Sequence, residues 1–98
     1  MKTLENWQED VLNQELVLVE FCADWSKSST LMKPVLEELE RDVALLSVVK
    51  VPDQDKVTDE LPVQAIPTMM LFKNGEYVWA VQGAKPKVVL IEKIAPYV

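Results

Sequence analysis

Leu16-Val17-Leu18-Val19-Glu20-Phe21 is a run of strand length with a single polar member, and Trp25-Ser26-Lys27-Ser28-Ser29 follows it after three residues. A near-continuous apolar run of this length is the pattern of a strand covered on both faces. Beyond it, Leu31, Met32, Val35, Leu36 and Leu39 recur at helical spacing, with Glu37, Glu38, Glu40 and Arg41 facing water. That spacing predicts a long helix over 29–42. Pro34 lies inside it, removes one backbone hydrogen bond and predicts a kink. Ser26 stands at the junction, where serine is a preferred N-cap. Residues 44–51 read as a second buried strand. The two strands and the helix make a βαβ unit, which demands a right-handed crossover and a parallel pair.

Working outward, residues 4–13 carry Leu4, Trp7, Val11 and Leu12 on one helical face, with Thr3 or Asn6 as the cap. Residues 52–60 are polar, with one short helical turn expected near 56–61. Residues 68–72 form a third strand, and Asn74-Gly75 is a hairpin turn into a fourth over 76–81. A last helix is predicted over 86–97, with Pro86 in its first turn. Val88, Val89, Ile91, Ile94 and Ala95 are its expected core side. Met69 and Met70 should face opposite sides of the sheet. Trp79 should share a face with Tyr77 and Val81 and pack on the last helix, while Trp7, Phe21, Phe72 and Tyr97 read as core. The order is αβαβ, a short helix, then ββα. The fold class is α/β, a three-layer sandwich with a four-stranded mixed sheet and helices on both faces.

Composition narrows the function. Ninety-eight residues make one domain, 1–98. The apolar runs are too short to span a bilayer. A net charge of −6 disfavours nucleic acid and anionic membrane. Met1-Lys2-Thr3-Leu4-Glu5 has no apolar leader, so a cytoplasmic protein is expected. The chain has no histidine, which removes Ser-His catalysis, imidazole metal ligation and a histidine proton shuttle. Its one cysteine, Cys22, cannot form an internal disulfide and reads as an inert core residue. No metal and no cofactor is expected, and a monomer is.

Val19-Glu20-Phe21-Cys22-Ala23-Asp24-Trp25, the kinking Pro34, Ile66-Pro67-Thr68, Phe72-Lys73-Asn74-Gly75 and Gly83 together resemble the thioredoxin family over nearly the whole chain from Trp7. The resemblance implies the thioredoxin-like sandwich. Thioredoxins usually add an N-terminal strand. Only Lys2-Thr3-Leu4 could supply it, so it should be absent or vestigial. In the family the four residues after the tryptophan are Cys-x-x-Cys; here serine holds both cysteine places, Ser26 and Ser29. The resemblance assigns Glu20 to the buried acid beneath the active pair and Lys50 to its companion. It places Trp25, Lys27, Ser28, Ile66, Pro67 (as a cis-proline) and Gly83 along the substrate groove. It also implies protein or peptide disulfide substrates and a thioredoxin reductase as partners.

Thiol–disulfide exchange needs an attacking thiolate and a second thiol to resolve the mixed disulfide. A helix N-terminus lowers the pKa of the first. A serine hydroxyl is a far weaker acid and forms no disulfide, so protein-disulfide reductase activity is not expected from this chain. Glu20 shares strand parity with Leu16 and Leu18, so it should point into a covered face and either stay neutral or pair with Lys50. Two readings follow. The chain is a double-serine form of a disulfide reductase with Cys-Lys-Ser-Cys, or it is a natural redox-inactive module that holds extended peptides beside Trp25 and Pro67.

Overall fold

A computed structural model describes residues 1–23, 25–52 and 66–98. β1 (Lys2–Thr3), β2 (Leu16–Phe21), β3 (Leu46–Val51), β4 (Thr68–Lys73) and β5 (Glu76–Gln82) form one sheet in the order β1-β3-β2-β4-β5. β2 runs parallel to β3 and antiparallel to β4. All six of its residues are buried, as its near-continuous apolar run requires at the centre of a sheet. The expected four strands become five, because Lys2 and Thr3 pair in parallel with Val49 and Lys50. The vestigial strand is real and two residues long.

Strand parity divides the core in two. Leu16, Leu18, Leu46, Val48, Met69 and Leu71 meet α1 (Lys27–Asp42) and α2 (Lys87–Ile94) through Met32, Leu36, Leu39, Leu90 and Ile94. Val17, Val19, Phe21, Val49, Val51, Met70 and Phe72 meet Leu4 and Val11 on the other face. Met69 and Met70 thus lie on opposite sides. At about 25 cal/mol per Å² of apolar surface removed from water, these two layers supply the main driving force for folding.

Several local expectations need correction. The first helix does not start at Leu4. Leu4 continues β1, donating its N–H to the Lys50 carbonyl, and only a π-helical turn, Gln8–Leu12, forms. Asn6 does cap that turn, accepting from the Glu9 N–H at 3.0 Å. In α1 the buried stripe is Met32-Leu36-Leu39; Leu31 lies about 100° round the helix from Met32 and is 68% exposed. Glu40 is only half in water, because its Oε2 accepts from the Val48 N–H at 2.7 Å. β3 starts at Leu46, two residues late, since Leu45 adopts a left-handed φ of 70° that ends the preceding turn.

α2 is rotated from the expected setting. Leu90 and Ile94, one turn apart, are buried; Val88, Ile91 and Ala95 are exposed. Pro86 is its N-cap rather than a first-turn residue. Pro96 has no N–H to extend the ladder, and a 3₁₀ turn, Ala95–Tyr97, closes the chain. In β5 a bulge intervenes, so Leu71 faces Trp79 while Phe72 faces Tyr77. One extra residue flips parity. Tyr77 therefore joins Phe72 edge-on at 6.0 Å, on the face opposite Trp79. Trp79 packs on α2 as expected, with its indole N–H donating to the Lys93 carbonyl at 3.1 Å. The short helical turn expected near 56–61 lies outside the described residues. No helix among the described residues is long and apolar enough to cross a membrane.

Candidate functional site

At the end of β2 the chain turns into α1 through a small hydrogen-bonded knot. The Ser26 N–H donates to the Ala23 carbonyl at 3.1 Å. Ser26 then takes an extended conformation (φ −92°, ψ 118°), and its Oγ accepts from the Ser29 N–H at 3.3 Å. This is N-capping of the kind serine favours. The Ser29 Oγ accepts in turn from the Ala23 N–H at 3.4 Å. Both serines are almost buried, at 8% and 7% exposure. Lys27 is exposed and Ser28 half-buried. Trp25 stands out from this turn at 80% exposure, an unusual state for so large an apolar side chain.

Two further loops reach the same end of the sheet. The Ile66–Pro67 peptide is cis, and Pro67 is buried. The Pro67 carbonyl accepts from the Gly83 N–H at 2.8 Å. Gly83 holds a left-handed φ of 83°, which suits glycine best. Two residues on, the Lys85 N–H points at the Met32 sulfur of α1 at 3.4 Å. Pro67 and Gly83 are thus joined directly, and the Gly83–Lys85 loop is tied to α1 one turn below the serines. Sequence reading did not anticipate Met32 and Lys85 as this link, nor Thr30, whose Oγ1 donates to the Ser26 carbonyl at 3.2 Å. Neither tie rests on a motif; both are consequences of the fold.

Glu20 points into the α1 face of the sheet and is 1% exposed. In register its neighbours are Lys50 on β3 and Met69 on β4. Among the described residues its Oε2 has no hydrogen-bond partner. Burial pushes the carboxyl up to about 7, against the opposing pull of the Lys50 charge. Of the two states expected for Glu20, the geometry favours a carboxyl neutral over much of the acidic range, with Lys50 acting as a nearby charge.

The constellation is two capped hydroxyls, a buried carboxyl that titrates near neutrality, and an exposed indole. It has no histidine to activate either serine. Cys22 is buried at 5% exposure. Among the described residues no group of three or more Cys, Asp or Glu side chains could hold a metal ion.

The sequence model of the thioredoxin family matches residues 1–96. The chain belongs to the thioredoxin family. It is 38% identical over 98 residues to the chloroplastic thioredoxin M5 of Oryza sativa subsp. japonica, covering 96% of this chain and 57% of that one. It is 34% identical to a thioredoxin of Rickettsia bellii, covering 94% of this chain and 91% of that one. Among solved structures, a mutant thioredoxin from Halobacterium salinarum superposes with a TM-score of 0.86 at 28% identity, covering 99% of this chain and 88% of that chain. The chain spans little more than half of the rice thioredoxin's length and nearly all of the Rickettsia one's. The thioredoxin-like α/β fold is therefore shared across the whole chain.

Proposed function

We propose that this chain is a thioredoxin scaffold for protein-disulfide chemistry in which the exchange step itself is missing. The observation that carries this is the Ser26–Ser29 pair. The two residues are one helical turn apart at the N-terminus of α1, and the Ser29 backbone N–H donates to the Ser26 Oγ. A thiolate in place of Ser26 would gain the same N–H group and the positive end of the α1 dipole. A thiol in place of Ser29 would stand within resolving reach. Oxygen in both places keeps the cap and removes the chemistry. Glu20, buried near the end of β2 from which the chain leads to the pair, is suited to pass a proton during exchange, with Lys50 influencing its charge state. Disulfide-bearing proteins or peptides and a thioredoxin reductase are the partners this reading implies.

The test is Ser26→Cys with Ser29→Cys. The double variant should reduce a protein disulfide such as that of insulin in the presence of dithiothreitol, at a rate well above the reductant alone. A double variant that folds but adds nothing to the reductant's rate would overturn the reading.

A second reading rests on Trp25. An indole left 80% exposed beside a closed, unreactive turn suits a groove that holds an extended peptide without changing it. Ile66, Pro67, Gly83, Lys27 and Ser28 would line it. Binding of a cystine-free extended peptide, lost in Trp25→Ala, would support this use of the surface.

A further inference from the structure

Asn74-Gly75 joins β4 to β5 in a two-residue turn, with φ values of 52° and 82°. Asn74 is exposed. The turn is held from outside the hairpin. The Asn74 N–H donates to the Glu15 carbonyl at 2.8 Å. Gly75 lies so close to the π-helical turn that an added Cβ would stand 2.7 Å from the Leu12 carbonyl oxygen. Ring contacts continue the clamp, from Tyr77 to Phe72 at 6.0 Å and from Phe72 to Trp7 at 5.3 Å.

An asparagine followed by glycine can react with its own backbone, because no side chain shields the next nitrogen. The Gly75 nitrogen loses its proton and attacks the Asn74 Cγ. The new N–C bond closes a succinimide, the bond from Cγ to Nδ2 breaks, and the nitrogen leaves as ammonia with that proton. Water then opens the imide at either carbonyl to give aspartate or isoaspartate. No electrons are transferred, and water is the one co-reactant. For the attack, Asn74 must leave the left-handed conformation so that the Gly75 nitrogen faces Cγ. That rotation pulls the turn off Glu15 and Leu12.

We infer that Asn74 is a latent deamidation site, kept closed in the folded chain by the Glu15 and Leu12 clamp, so that its conversion records openings of the β4–β5 hairpin. Among the described residues β5 is an edge strand, paired in the sheet with β4 alone. Isoaspartate adds one main-chain carbon to a two-residue turn, which the Lys73–Glu76 pairing cannot absorb. Either product also sets a new carboxylate near Glu15 and Glu76.

The experiment incubates the folded chain and the same chain in urea at neutral pH. Peptide mass mapping then follows the unit mass gain and the isoaspartyl product at Asn74. Conversion in urea should be faster by about tenfold or more, the population ratio that a modest local opening free energy sets. Tyr77→Ser removes an outer ring of the clamp at a half-exposed position. It should speed conversion several-fold in the folded state and leave the rate in urea unchanged. Equal rates in the folded and unfolded chain, no conversion in either, or an unaltered folded-state rate in Tyr77→Ser would each overturn the inference.

Discussion

Replacing Glu20 with glutamine should remove a pH-dependent weakness from the centre of the molecule. The native carboxyl titrates at about 7, against 4.5 for an unperturbed glutamate, because burial disfavours its charge more than Lys50 restores it. As pH rises, the unfolded chain therefore releases this proton first. Between 4.5 and about 7 the native state holds more protons than the unfolded state, so Glu20 makes stability fall with rising pH. At about 1.4 kcal/mol per pH unit the full interval is worth roughly 3 kcal/mol. Solvent entry and relaxation around the ion reduce this to about 2 kcal/mol.

Glutamine has the shape of the protonated acid and never ionises. Glu20→Gln should match the unaltered chain near pH 4.5 and exceed it above neutrality by about 2 kcal/mol. With an m-value of roughly 1–2 kcal/mol/M, that is a shift of about 1–2 M in the urea midpoint. The assay is urea unfolding followed by tryptophan fluorescence across this pH range, on both proteins. Curves that stay parallel from acid to alkaline pH would refute the reasoning, since they would mean the carboxyl finds compensation that the buried Oε2 does not have.

Other perturbations have expected outcomes of their own. Ser26→Ala removes the cap of α1 and should lower stability by about 1 kcal/mol in urea unfolding, with the helix still formed by circular dichroism. Gly75→Ala meets both a positive φ and the Leu12 carbonyl oxygen, and should cost about 3 kcal/mol, whereas Gly83→Ala shares the positive φ but meets only the Lys85 Nζ at 3.8 Å, an ordinary contact, and should cost only about 1 kcal/mol. Thermal denaturation of the two variants side by side checks that ordering. Trp79→Phe loses the bond to the Lys93 carbonyl and weakens the contact with the overlying Lys93 ammonium, 5.6 Å from the ring, and should destabilise by about 1 kcal/mol in the same measurement.

What the sequence made legible followed from strong local rules. The β2 run could only be a central strand, and its bounds agree residue for residue. Ser26 as N-cap, Asn74-Gly75 as a hairpin turn and Met69 and Met70 on opposite faces all follow from chemistry acting within a few residues. What escaped depended on distant partners. α2 offers apolar side chains around most of its surface, so periodicity alone could not choose Leu90 over Val88 and Ile91. Tyr77 changed faces because one bulged residue in β5 reversed parity, and no residue type announces a bulge there. The first helix shortened because Leu4 gained more from pairing beside Lys50 than from a helical turn. At the site, parity alone placed Glu20 in the core, but the backbone tie between Pro67 and Gly83 and the contact between Lys85 and Met32 needed the assembled sheet.

Disulfide turnover by the unaltered chain bears most directly on this account. Incubated with a cystine-bearing protein and dithiothreitol, it should give the rate of the reductant alone, and Cys22→Ser should change nothing. Turnover above that rate, abolished by Cys22→Ser, would contradict the account by placing an active sulfur where the fold has a buried one.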